Sequence, residues 1–220
     1  LFITSLLLIF GCSKPVEDST LINNDGLMYH PDTKELYSGK VFTNYLGGRK
    51  LLEGTYKDGK KDGKWTEWYK NGQKEREETY KDGEEIERIE YYYYDSGQKE
   101  SEGTFKNGEK DGLWTSWYEN GQKSSEGTYK GGIKDGLRTI WYENGQKESE
   151  GTFKIGGHEG LWTEWYENGQ KETEGTFKDW KANGLVTFWY ENGQKSGEMT
   201  FKDGKEISKK EWNEDGSVKK

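Results

Sequence analysis

Few side chains in this chain of 220 residues could do chemistry: two histidines, one cysteine, a row of tryptophans, and rows of lysine and glutamate. His30 and His158 are far apart in sequence and neither has a second histidine beside it, so a histidine-rich zinc site is not expected. Nothing places a Ser-His-Asp set. Cys12 is the single cysteine, which rules out an internal disulfide and a cysteine-based metal site. The glycine-rich turns lack the Lys-Ser/Thr of a phosphate loop and open no helix. An enzyme is therefore the least supported class, with no cofactor and no metal expected.

The carboxylates recur as Glu53, Glu77, Glu102, Glu126, Glu150, Glu174 and Glu198, beside Lys74, Lys99, Lys123, Lys147, Lys171 and Lys195. On successive hairpins equivalent positions lie two strands, about 10 Å, apart. That is too far to share one cation or to form an acid–base pair. A solvated face with cross-strand ion pairs is expected, each contributing under about 1 kcal/mol. The candidate binding residues are Trp68, Trp117, Trp141, Trp165 and Trp189. They form either a stacking platform for sugars or a flat protein partner, or the core of a thin sheet.

The elements that position these rows are visible as a period. Thr55, Thr79, Thr104, Thr128, Thr152, Thr176 and Thr200 each precede an aromatic residue and a lysine, at intervals of 24 residues with a single 25. Asn-Gly-Gln-Lys recurs in step at Asn71, Asn120, Asn144, Asn168 and Asn192. Such self-similarity marks a repeat array, in which each unit buries apolar surface against its neighbours. Asn-Gly between alternating segments predicts a type I′ hairpin with positive φ at both central residues.

In that register Trp114 faces Gly127, Gly112 faces Tyr129 and Tyr118 faces Lys123. Trp114, Tyr118, Gly127 and Tyr129 then share one face, with Leu113, Trp117 and Glu126 on the other. The predicted fold is all-β: an elongated single-layer antiparallel β-meander of tandem hairpin repeats, each about 24 residues, with strands of about four to seven residues. The array covers residues 25–220, with seven hairpins at about residues 39–202. Leu27–Tyr29 is expected to cap its start, and the polar residues after Phe201 its end. Glu78 and Met199 break the glycine series Gly54, Gly103, Gly127, Gly151 and Gly175, so those repeats should pack differently.

Hydrophobic content of 29% and charged content of 34% would ordinarily suggest disorder. The ten tryptophans overturn that, because they hold fixed places in the repeat. The net charge of −8 is spread without a basic stripe. Nucleic acid is not an expected partner, and general attraction to anionic headgroups is disfavoured.

Residues Leu1 to Phe10 are apolar but for Thr4 and Ser5, too short to span a bilayer as a helix, and fit the central region of a secretory signal. No Met or basic stretch precedes them, which suggests that the start of the signal is missing. Ile9-Phe10-Gly11-Cys12 resembles a bacterial lipobox. The resemblance implies a signal peptide at residues 1–11, a lipidated Cys12, and stable membrane anchoring by several acyl chains. It places the protein at the cell envelope, at the outer membrane in a Gram-negative cell. The alternative is an ordinary signal peptide followed by a free cysteine. Residues 12–24 are expected to be a flexible tether.

The unit Gly-Thr-(Tyr/Phe)-Lys-x-Gly followed by Gly-Leu-Trp-x-x-Trp-Tyr-x-Asn-Gly-Gln-Lys, as in Glu102 to Lys123 and Glu150 to Lys171, resembles the bacterial variant of the membrane occupation and recognition nexus (MORN) repeat. The likeness covers about residues 37–202. It implies protein or membrane association without shared catalytic residues, and proteins of this kind are often labelled YwqK-family antitoxins. The expected function is a lipid-anchored scaffold or interaction module with an unidentified protein partner. The alternatives are an antitoxin-like inhibitor and a cell-wall glycan binder, because these hairpins are also similar to choline-binding wall repeats of about 20 residues.

Overall fold

The computed structural model describes residues 14–219, so Cys12 and the signal segment 1–11 lie outside the described residues. Among those described there is no α-helix, only one 3₁₀ turn at Asp18–Thr20. The chain divides into two compact units, Leu1–Arg88 and Ile89–Lys220, with the boundary inside strand β9 (Glu84–Tyr93).

The second unit is an antiparallel meander in which each strand pairs with the next in sequence. Its strands are β10 (Lys99–Lys106), β11 (Glu109–Trp117), β12 (Lys123–Lys130), β13 (Ile133–Trp141) and β14 (Lys147–Lys154). They continue as β15 (Gly157–Trp165), β16 (Lys171–Lys178), β17 (Lys181–Trp189), β18 (Lys195–Lys202) and β19 (Lys205–Glu211). Strands β10 to β18 run eight or nine residues, longer than the four to seven expected. The all-β antiparallel repeat is as the period implies.

The turns differ from expectation. At Asn120-Gly121 only the glycine has positive φ, +85°. Gly121 N–H bonds Tyr118 O at 2.9 Å and Tyr118 N–H bonds Gln122 O at 2.8 Å. The loop is therefore Glu119–Gly121, three residues with glycine in the left-handed position. The two-residue turns with positive φ at both positions lie at the opposite ends of the strands, for example Asn107-Gly108 (+52°, +80°) and Asp203-Gly204 (+51°, +80°).

A three-residue loop alone would flip every side chain to the other face. A bulge restores the parity: Trp117 pairs with Lys123 and Ser116 with Ser125, leaving Ser124 unpaired. Trp114 still faces Gly127 and Gly112 still faces Tyr129, whereas Tyr118 pairs with Gln122 and not Lys123. The indole of Trp114 leans away from Gly127 onto Gly103 of the preceding strand, where an added Cβ would overlap it.

The first unit holds β4 (Gly39–Asn44), β5 (Lys50–Lys57), β6 (Lys60–Lys61), β7 (Gly63–Trp68) and β8 (Lys74–Lys81) in the same antiparallel order. β1 (Val16–Glu17) pairs parallel with β4. β2 (Ile22–Asn24) and β3 (Leu27–Tyr29) form a separate hairpin. Met28 N–H bonds Gly59 O at 2.9 Å, so the expected capping strand is tied to the sheet through its backbone.

The stretch expected to be a flexible tether is structured from Val16 onward. Leu21 is buried with Tyr37, Val41, Tyr56 and Trp65, and Val16 and Met28 pack against them. Two apolar residues in an aperiodic polar segment left no pattern to read, yet they are what closes this core. Glu78, which replaces the repeat's glycine, is buried there. It lies 3.2 Å from Arg76 Nε and accepts a bond of 2.9 Å from the Tyr80 hydroxyl.

Candidate binding face

Strand alternation sets Leu113, Thr115 and Trp117 on one face of β11, opposite Thr128, Glu126 and Lys123 of β12. The same set recurs through each later hairpin of the second unit and, with substitutions, in the first. Three layers can be distinguished on this face.

The first is buried. Thr66, Thr115, Thr139, Thr163 and Thr187 are almost inaccessible despite their hydroxyls. Thr115, Thr139 and Thr163 satisfy those hydroxyls by donating to Glu126, Glu150 and Glu174.

The second is a row of ion pairs. Lys74–Glu77 (2.6 Å), Lys99–Glu102 (2.7 Å), Lys147–Glu150 (2.6 Å) and Lys195–Glu198 (2.5 Å) repeat along it, with Lys50–Glu53, Lys123–Glu126 and Lys171–Glu174 in the same places. These pairs run within one strand, three residues apart, and are not the expected cross-strand pairs. Residues three apart on a regular strand face opposite ways. The bulge residue, Ser124 in β12 and Glu148 in β14, turns the lysine back onto the glutamate's face. Glu150 is held below the usual carboxylate range, first by the Lys147 hydrogen bond.

The third layer is apolar. Trp68, Trp117, Trp141, Trp165 and Trp189 are all half-buried. A lysine from the preceding hairpin lies over each ring, Lys50 over Trp68 at 5.4 Å and Lys123 over Trp141 at 5.7 Å, for example. Beside the tryptophans of the second unit run Leu113, Leu137, Leu161 and Leu185, which are 51, 57, 58 and 51% exposed. Alternation had put Leu113 and Trp117 on one face. What the spacing could not reveal was that the whole leucine row is exposed.

The tyrosines after each tryptophan are the contacts missed from sequence. Tyr118 donates to Trp141 O (2.6 Å), Tyr142 to Trp165 O (2.8 Å), Tyr166 to Trp189 O (2.7 Å) and Tyr190 to Trp212 O (2.9 Å). Asn120, Asn144 and Asn168 donate likewise to Glu143, Glu167 and Glu191 backbone oxygens, one repeat ahead. Burial, with nearby glutamates second, raises the Tyr118, Tyr142 and Tyr166 hydroxyls above the ordinary tyrosine value, which keeps them protonated donors. Their invariance within the chain was the available signal.

On the opposite face His158 stacks on Trp162 at 4.0 Å and 9°, and burial lowers its pKa. Among the described residues no three His, Cys, Asp or Glu side chains converge as a metal-ligand set. No described helix is long and apolar enough to cross a membrane.

These features define a class: a β-hairpin repeat protein whose units are latched by tyrosine and asparagine one repeat ahead. The MORN repeat variant matches residues 61–82, 89–107, 110–130, 134–154, 159–179 and 182–203, more than half of the chain, and the protein belongs to that family. No curated protein matches it. Among solved structures, a protein of unknown function from Bacteroides fragilis is 10% identical over 83% of this chain and 90% of that one, with a TM-score of 0.11, too low to indicate a common fold.

Proposed function

We propose that this protein is a non-enzymatic interaction module, held at the cell envelope by lipid on Cys12, that binds a protein partner through the leucine and tryptophan face of its second unit. Membership of the MORN repeat variant family supports the coarse part, a repeat protein for protein or membrane interaction. The observation that carries the finer part is the row Leu113, Leu137, Leu161 and Leu185, each more than half exposed at the same place in its repeat. Four aligned leucines beside four half-buried tryptophans set a repeated row of exposed apolar side chains on one face, with the repeat threonines between the leucines, and clustered exposed apolar surface is what marks an interaction site. The neighbouring lysines and glutamates neutralise one another within their own strands. That leaves apolar contact as the main source of affinity and a second protein surface as the fitting partner.

The test is cross-linking and co-purification from membranes with the wild-type chain and a Leu137→Lys/Leu161→Lys variant. A partner recovered with the first and lost with the second is expected. Recovery unchanged by the substitutions would remove the reading. Retention on isolated peptidoglycan that depends on Trp141 and not on the leucines would favour a glycan instead. For the anchor, globomycin or Cys12→Ala should change the processed mass and release the protein from membranes. An unaltered mass with a soluble product would count against lipidation.

A further inference from the structure

The first unit carries a cavity of about 760 Å³ on the face that bears Trp68. Its size lies within the range of small-molecule sites. Phe42 and Trp68 give it an apolar wall, Pro15 contributes to the lining, and Val41 borders it only through its backbone, its side chain being buried in the core on the other face. Five lysines and two glutamates also line it, beside Gly54, Thr55 and Thr66, which leaves a surplus of positive charge.

The ion pairs locate that surplus. Glu53 is taken by Lys50. Glu77 is shared by Lys64 at 2.7 Å and Lys74 at 2.6 Å, one carboxylate against two ammonium groups. Lys14 and Lys40 have no ion-pair partner among the described residues. Nothing in the lining answers their charge.

Register shows that the surplus belongs to this unit alone. Lys40 pairs with Thr55 and Lys64 with Thr79. In the second unit the residue paired to the same repeat threonine is leucine: Leu113 with Thr128, Leu137 with Thr152, Leu161 with Thr176 and Leu185 with Thr200. Lys40 and Lys64 stand on the two strands flanking β5, so their backbones are about 10 Å apart. A multiply charged anion between them could meet both flexible stems.

We propose that this cavity binds a small organic anion that carries a phosphate or paired carboxylates on an aromatic or apolar body. The ammonium groups of Lys14, Lys40 and Lys64 meet the charged end, and Trp68 and Phe42 pack against the body. The site is separate from the leucine face of the second unit, and either can fail without the other.

The test is calorimetric titration of the full chain with 1-naphthyl phosphate, inorganic phosphate and 1-naphthol. Saturable binding of 1-naphthyl phosphate is expected, at least about tenfold tighter than that of either fragment, because charge and apolar contact act together. Lys40→Leu/Lys64→Leu introduces the residues the second unit uses at these places, so the fold should survive. That variant should lose about tenfold in affinity for the aryl phosphate. Leu113→Gln/Leu137→Gln should leave it unchanged. No saturable binding, equal binding of 1-naphthol, or equal loss in the two double variants would each overturn the proposal.

Discussion

Trp65 and Trp114 hold the same place in the repeat and meet different fates. Trp65 is 2% exposed, capped by Leu21, Tyr37 and the other residues that the N-terminal segment brings over it. Trp114 is half-buried, with the Lys110 ammonium 3.6 Å from its ring centroid; Lys61 holds the same place over Trp65 at 4.5 Å, so what Trp114 lacks is the apolar cap. Both indoles donate to the carbonyl of the preceding threonine, at 3.1 Å in each case. The local geometry is therefore the same and only the cover differs. A sheet one layer thick cannot bury a face by itself. In both units a cationic side chain with a long apolar stem lies over the ring, and in the first the N-terminal segment adds the apolar side chain of Leu21 to that cover. On the other face the contrast is lysine against leucine at the position paired to the repeat threonine, which separates a charged cavity from an apolar row.

The largest effect should come from removing the covered ring. Trp65→Ala is expected to cost about 3–5 kcal/mol, since a fully packed indole leaves a cavity. Trp114→Ala should cost clearly less, because part of that surface is already wet. Urea unfolding of the full chain, with hydrogen exchange to locate the loss, measures both, and equal costs would break the comparison. Gly151→Val drives a side chain into the Trp162 ring that lies on Gly151 and should cost about 1–3 kcal/mol. The same change at Gly127, where the nearest atom is Arg138 Cγ at 3.2 Å, should be milder because that stem can move.

Ile155 sits at φ +50°, a conformation that β-branched residues adopt at a cost. Ile155→Asn should therefore raise stability by about 1 kcal/mol, read as a higher thermal midpoint. Tyr142→Phe removes the latch to Trp165 O and should cost about 1 kcal/mol, with exchange quickening in the β15 and β16 amides.

The smallest effect is in pH. Burial lowers the His158 pKa, with Glu164 opposing and Lys134 assisting. The unfolded chain then takes up the proton first, so this contribution is constant above about pH 6.5 and stability declines as pH falls below it. His158→Gln should flatten that part of the profile of unfolding midpoint against pH. An unchanged slope would show that the ring carries no such penalty.

Parity is where sequence reading and structure can be weighed most closely. Placing Trp114 with Gly127, and Leu113 with Trp117, from alternation alone gave the right faces although the turn was wrong. A three-residue loop and a bulge at Ser124 cancel, and each is invisible to a pattern of period two. The same bulge explains why lysine and glutamate pair along a strand: counting residues could not foresee that Lys123 and Glu126 share a side.

The period, the all-β antiparallel repeat, its family and the side of the sheet on which most row residues stand are written in residue order, because neighbouring strands are also neighbours in sequence. The cover over Trp65, the burial of Glu78, the tyrosine latches and the cavity around Lys40 are not. They depend on which distant or aperiodic residue fills the space above a one-layer sheet, and that contact exists only after the chain has folded.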